Sequence, residues 1–303
     1  MAITANSFTT YDAVGNREDL TDVIHNISPV ETWVTSNTGN VNGMARLHEW
    51  QTDTVGSAAQ NAQIEGNEFT PAAVTATTRL NNVMQIISEN FQVTDTQDIV
   101  DKGGRASELN YQIALHTKKL AIDIEYALVI NGAAVTGGTG AARVMKGMQG
   151  FISTNTETGT GGGAEALTET MFKDALQSIW VQGGFPQTAL CGGFQRTKID
   201  GFSGNGTRFL PMTQPVLETS VDVYRSSFGN IAIRLHHVAQ AQIPDVVLIL
   251  GDMDLWRKAW LRRPTKREFP RNGDSRRCQI ITELTLESGN EKGSGRIIDL
   301  TVA

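Results

Sequence analysis

A 303-residue chain with a net charge of −6 can bury a sizeable core and would ordinarily divide into two or so lobes. Only Cys191 and Cys278 occur, far apart, which fits a reducing compartment and argues against disulfides or a cysteine metal site. No apolar run approaches the ~18 residues of a membrane span, and the start MAITANSFTTYDAVG lacks the basic and apolar regions of a secretory signal.

Residues 1–44 read as an extended arm with one short helix. Leu20, Val23, Ile24 and Ile27 have helical spacing within Arg17–Ile27, and Ser28-Pro29 ends the run. The surrounding Thr, Asn, Ser and Gly provide too little apolar material for a core, so the arm becomes ordered only against another surface. Residues 45–80 read as a long polar hairpin turning at Glu65-Gly66-Asn67. Two strands this polar are marginal alone and need a partner surface such as another subunit. NNVMQIISENFQVTDT then supplies a strand for the main sheet, and Thr96–Lys102 a short helical turn. From Ser107 to Ile130, Leu109, Ile113, His116, Leu120, Ile124 and Leu128 form a helical stripe with no Pro or Gly between them. At 1.5 Å per residue this is a helix of roughly 36 Å, about twice the globular average. Its second half is apolar nearly all round and should be buried, and Asn131-Gly132 supplies the stop.

A low-complexity linker, TNTETGTGGGAE, marks a lobe boundary. Beyond it Thr168 can cap a helix whose face is Phe172, Ala175, Leu176, Ile179 and Trp180, ended by Gly183-Gly184. TALCGG reads as a short buried strand, FQRTKIDGF as a short helix, and 203–219 as a loop with Pro211 and Pro215. SVDVYRS and NIAIRLH alternate around Phe228-Gly229-Asn230 as a hairpin, and DVVLILG suits a central strand. QIITELTLE and GRIIDLTV read as a final strand pair joined by Gly289-Asn290, returning to pack with the long helix. One lobe is thus built from both ends of the chain, with a second inserted between.

Charge is distributed unevenly along this plan. Residues 1–101 carry three basic groups against thirteen acidic ones, whereas Arg257–Arg277 carries nine basic groups against Glu268 and Asp274. A basic block alone suggests nucleic acid. Paired with an acidic segment of the same chain, it more economically suggests head-to-tail self-association, with two solvated faces as the plain alternative.

Catalytic signals are weak. Gly138-Thr139-Gly140 begins like a dinucleotide fingerprint but ends in Arg143 and follows a helix rather than a strand. GFSGNG lacks the spacing of a nucleophile elbow, and no phosphate-binding GxxxxGK[ST] occurs. Adjacent His236 and His237 would face opposite sides of a strand, and His48-Glu49 is too short for a zinc motif. His116 reads as a satisfied core histidine and Cys191 as a small buried hydrophobe. The residues point to no catalytic set, no cofactor and no metal.

In order and spacing, REDLTDVIHNISPVETW, HEWQTD with NAQIEGNEF, RLNNVMQIISENFQVTDTQDIVDKGGR, the long helix and the tail GDSRRCQIITELTLESGNEKGSGRIIDL together resemble the major capsid proteins of tailed bacteriophages. The likeness is greatest to the subfamily without a fused N-terminal scaffolding domain. It implies an α+β fold with an arm (1–44), an extended loop (45–78), a peripheral domain (79–163 and 259–303) on a spine helix (105–131), and an axial domain (164–258). It also implies hexamers and pentamers closing an icosahedral shell around double-stranded DNA. Partners beyond the chain itself would be a scaffolding or cement protein, a portal and non-specific DNA, with the protein made in the host cytoplasm and no membrane involved. Some family members weld subunits by an isopeptide bond from a loop lysine; here the first lysine is Lys102, so the loop has no nucleophile. The charge split places Asp53, Glu65 and Glu68 of the loop against Arg262, Arg263, Lys266, Arg267 and Arg271 of an adjacent subunit, or else turns the basic block towards DNA. A nanocompartment shell of the same fold, loaded with protein cargo, and an unrecognised soluble enzyme are the other readings.

Overall fold

Alternating strands and striped helices sort the chain into two sheets, each carrying a helix. The computed structural model describes residues 32–301 apart from 54, 57, 69, 70, 72, 102, 103, 105, 160–164, 203–222, 238–246 and 272. The described residues open with α1 (Trp33–Asn37), β1 (Gly39–Asn42), β2 (Leu47–Thr52), β3 (Thr78–Val83), β4 (Gln85–Thr94) and α2 (Asp95–Ile99). It continues through α3 (Glu108–Val129), α4 (Met148–Phe151), β5 (Thr156–Thr158), α5 (Glu169–Val181), β6 (Thr188–Cys191) and α6 (Gly193–Asp200). It closes with β7 (Val223–Ser226), β8 (Gly229–Leu235), β9 (Val247–Leu250), β10 (Trp256–Phe269), β11 (Ser275–Ser288) and β12 (Gly295–Ile298). Two sheets result, in the orders β1-β10-β11-β4 and β5-β12-β9-β6-β8-β7, together with a two-stranded β2-β3 ribbon.

The expected long helix is α3, 22 residues in one piece. Its start is fixed by Ser107, whose hydroxyl accepts from the Asn110 amide at 3.4 Å, a cap that contributes about 1 kcal/mol. Leu120, Ile124 and Leu128 pack with Ile87, Ile280, Leu284 and Leu286 of β4 and β11 in the first core. Each such side chain contributes about 1.5–3 kcal/mol on burial. The first half of the helix is wetter: Ile113 and His116 are only half-buried. His116 stacks on Phe91 at 4.6 Å and meets Glu89 at 3.1 Å, so it is satisfied as expected but lies at the margin of the core and not within it.

In the second lobe Thr168 caps α5 by accepting from the Met171 amide at 3.3 Å. Phe172, Ala175, Leu176 and Ile179 are buried on the sheet with Ala189, Cys191, Ile231, Ile233 and Ile297. Trp180, expected on that face, is instead 52% exposed, because it sits one position round the helix from Ile179. Strand alternation on β6 turns Ala189 and Cys191 to this core and Leu190 to the first, so one sheet separates the two cores.

Several expectations need correction. The terminal strand pair does not form: β11 pairs antiparallel with β10 and β4, while β12 joins the second sheet, parallel to β5 and antiparallel to β9. Most of the basic block lies in β10, whose 14 residues give β11 a longer partner than the four-residue β12, while Arg276 and Arg277 belong to β11. Within the expected linker, Thr156–Thr158 forms β5. These pairings put 156–158 and 295–298 together in the second sheet. The long hairpin has strands only at its base, β2 and β3, with no strand among the described residues of 53–77. The arm helix expected over Arg17–Ile27 and the loop expected at 203–219 lie outside the described residues.

Candidate assembly interface

A single buried carboxylate fastens the end of the arm to the body. Glu125 is fully buried in the apolar half of α3. It accepts from the backbone N–H groups of Val34 at 2.8 Å and Thr35 at 2.7 Å, the first-turn donors of α1 that Thr32 does not cap. His236 Nε2, from the end of β8, approaches the same carboxylate at 2.8 Å. Lys258 of β10 donates to the Thr35 carbonyl. Burial pushes the Lys258 ammonium below its ordinary value, and the charge of Glu125 works against that shift. One side chain therefore joins arm, spine helix and second lobe. Just beyond, β1 runs parallel to β10, with Gly39 opposite Arg257 and Asn42 opposite Trp260.

The hairpin base is fixed to β11. Trp50 Nε1 donates to the Ser288 carbonyl at 2.8 Å, and His48 meets Glu287 at 3.0 Å. Beyond Thr52 the chain is exposed, including Val55, Ile64 and Val74. The tip is nevertheless shaped. Gly66 takes φ +82° and the Asn67 amide donates to the Ile64 carbonyl at 3.0 Å, so the turn expected at Glu65-Gly66-Asn67 is present. Glu65 and Glu68 are exposed there, and Asp53 is exposed near the base.

The basic strand is partly engaged within the chain. Arg262 donates to Glu283 at 2.9 Å, and Arg143 reaches the other oxygen of that carboxylate at 2.6 Å. Arg271 donates to Asp95 at 2.6 Å, joined there by Arg276 at 3.2 Å, so part of the acidic first third is matched inside its own molecule. Lys266 meets Glu268 at 2.6 Å. Arg263 and Arg267 are exposed and have no ion pair among the described residues. From Arg263 onward every side chain of β10 is exposed, and β1 covers only the other end of the strand. This bare edge carries Arg, Lys and Pro264, residues that discourage indiscriminate strand pairing.

Sequence reasoning found the basic block and the turn, but missed that the block is largely a strand and missed Glu125, Glu283 and Glu287. The signal for Glu125 was available, since it is a carboxylate in a half-helix otherwise almost wholly apolar. Glu283 and Glu287 alternate with Leu284 and Leu286, which marks them as facing the other side of β11.

Among the described residues no three His, Cys, Asp or Glu side chains gather where a metal ion could sit. Two open recesses of about 540 and 400 Å³ lie on the surface. Burial lifts the Cys191 thiol to about 12, far from nucleophilic. Among the described residues, no helix is long and apolar enough to cross a membrane.

The model of one family, the SU10 major capsid protein, matches residues 3–301. The chain belongs to the SU10 major capsid protein family. It is therefore a structural phage capsid protein and not an enzyme. Solved structures agree on the fold. A chain from Mycobacterium phage Bobi is 12% identical with a TM-score of 0.65, over 93% of the capsid protein and 95% of that chain. The capsid of a native GTA particle computed with C5 symmetry gives 0.67 at 9% identity, over 96% and 98%. The holo-SrpI encapsulin complex from Synechococcus elongatus gives 0.59 at 8% identity, over 94% of each chain. No curated protein matches the sequence. As the resemblance implied, the capsid protein is a mixed α+β molecule that assembles with copies of itself as a component of the virion.

Proposed function

We propose that copies of this capsid protein form hexamers and pentamers that close an icosahedral shell around double-stranded DNA. The observation that carries the reading is the family match over nearly the whole chain, joined to a hairpin tip that is exposed on its own molecule. The arm is residues 1–44 and the extended loop 45–78. The peripheral domain is 79–163 and 259–303, and the axial domain 164–258. A scaffolding or cement protein and a portal are the further partners, and synthesis takes place in the host cytoplasm. Asp53, Glu65 and Glu68 of one copy face Arg262, Arg263, Lys266, Arg267 and Arg271 of the next. Exposed ion pairs contribute only about 0–1 kcal/mol each, so they set register while apolar burial supplies most of the cohesion.

Negative-stain imaging of the purified protein tests the shell itself; a monomer or small oligomer of fixed size overturns it. For the charge contact, R263E/K266E/R267E is cleaner than a set containing Arg262, whose reversal also disrupts its bond to Glu283. Normal assembly of that variant at low salt removes the basic strand from the interface. The encapsulin likeness supports one second reading, a shell around enzyme cargo; particles that carry protein and no nucleic acid would favour it.

A further inference from the structure

A small finger beyond the long helix helps to form a cationic recess. Residues 135–144 double back on themselves. The Val135 and Val144 backbones exchange hydrogen bonds at 2.9 and 3.1 Å, and those of Gly138 and Ala141 exchange two at 3.2 Å. The returning chain is clamped by Asn82 of β3 and Gln85 of β4, whose side-chain oxygens accept from the Lys146 amide at 2.9 Å and the Met145 amide at 3.1 Å. Between this finger, β4 and the segment just before β2 lies the recess of about 540 Å³, lined by Arg46, Ile86, Thr136, Thr139, Ala141 and Arg143 among others. Its walls are fixed by the fold, which lowers the ordering cost of filling it.

Charge in the recess is out of balance. Glu283 takes Arg262 on one oxygen, through both Nε and Nη2 at 2.9 Å, and Arg143 on the other at 2.6 Å. Arg46 is exposed and has no ion pair among the described residues. Glu49, three positions along from Arg46, is held by Arg79 of β3. Three guanidiniums against one carboxylate leave an excess of two positive charges.

Arg143 is also held in place. Its stem crosses Gly137, where φ is +68° and a Cβ would stand 2.6 Å from Arg143 Cγ. Its bond to Glu283 runs from Nη2, one of the nitrogens that share the five N–H donors of a guanidinium. Thr136 and Thr139 add hydroxyl donors to the lining, and Ile86, 46% exposed, adds an apolar surface.

We propose that this recess is a binding site for a phosphate group carried by a small molecule. Arg46 and Arg143 hold the phosphate oxygens, Thr136 and Thr139 donate to them, and Ile86 packs against the group that carries the phosphate. A phosphate monoester carries about two negative charges and three strong acceptor oxygens, which match the excess, whereas one carboxylate neutralises half of it. Guanidinium forks fit phosphate geometry, and the volume falls within the roughly 300–1,000 Å³ of small-molecule sites. Occupation ties Arg46, at the root of the β2-β3 ribbon, to the finger that follows α3, so the ligand stabilises the folded chain by mass action. The proposal stands apart from the shell reading and needs one copy of the chain. Phosphodiesters of nucleic acid present related chemistry, and the experiment separates the two sources.

The test is titration calorimetry of the full-length chain in low-salt buffer, with inorganic phosphate and adenosine monophosphate as probes and adenosine as the control. Both phosphates should bind saturably at one site per chain, and adenosine should not. R46A, at an exposed position, should weaken both at least about tenfold, the scale of one lost charge-assisted hydrogen bond. R263A, on the bare part of β10, should leave both unchanged. Adenosine monophosphate should raise the urea midpoint of the parent but not of R46A, and the two chains should unfold alike without it. Displacement of the monophosphate by a short DNA duplex assigns the site to phosphodiesters, and retention assigns it to terminal phosphates. Absence of saturable binding, equal binding by adenosine, or equal affinity in the parent and R46A overturns the site.

Discussion

Replacing Glu125 with alanine removes the acceptor for two backbone donors, buried Val34 and half-buried Thr35, and the carboxylate facing His236. Each orphaned N–H costs about 1–3 kcal/mol, and disrupting a buried charged cluster by deleting one member costs about 3–5 kcal/mol. The expected loss is therefore about 3–5 kcal/mol, a large share of the stability of an ordinary domain. Glu125→Gln keeps an acceptor oxygen and should lose about half as much. Lys258 adds an independent readout: the charge of Glu125 raises its pKa against burial, so E125A should lower it further. The assay is urea unfolding of the unassembled chain by tryptophan fluorescence, with hydrogen exchange at the Val34 and Thr35 amides. If E125A unfolds within about 1 kcal/mol of the parent, and those amides exchange no faster, the carboxylate is not the fastening described.

Three further outcomes follow from individual contacts. Burial opposes the charge on Glu89, but hydrogen bonds from Lys119 and His116 outweigh it and hold the carboxyl below its ordinary value of 4.5. Its contribution is complete above that value and fades as pH falls through the lower folded pKa, so the stability difference between the parent and E89Q should shrink on acidification. A Cβ on Gly251 would stand 1.5 Å from the Gly293 carbonyl oxygen, so Gly251→Ala should destabilise by more than about 2 kcal/mol, read as a lower urea midpoint. Cys191, raised to about 12, and buried Cys278, raised as well, should both resist a thiol reagent until the chain is unfolded.

The sequence disclosed elements better than pairings. Leu120, Ile124 and Leu128 announce a buried helix because helical periodicity is local, and Thr168 announces the start of α5 for the same reason. Which strand lies beside which depends on residues hundreds of positions apart. Arg257–Arg277 was legible as a basic block but not as a strand, because the exposed half of β10 has no apolar alternation, although it forms a ladder with β11. Thr156–Thr158 offers three polar residues and no hydrophobic pattern, so only its pairing with β12 reveals a strand. At the interface, Asp53, Glu65, Glu68 and the basic groups were legible as charge. That Asp95 holds Arg271 and Arg276 within the chain was not, since ion-pair partners are chosen by folding.

The strand at residues 295–298 is not at the rim of its sheet. β12 sits between β5 and β9, and without it β5 has no neighbour in that layer. The second lobe thus cannot close until a segment arrives that most of its strands precede by fifty positions or more. A copy in which those four residues are not yet in place has an open slot in that layer, so damage to so short a segment would be felt on both sides of the gap.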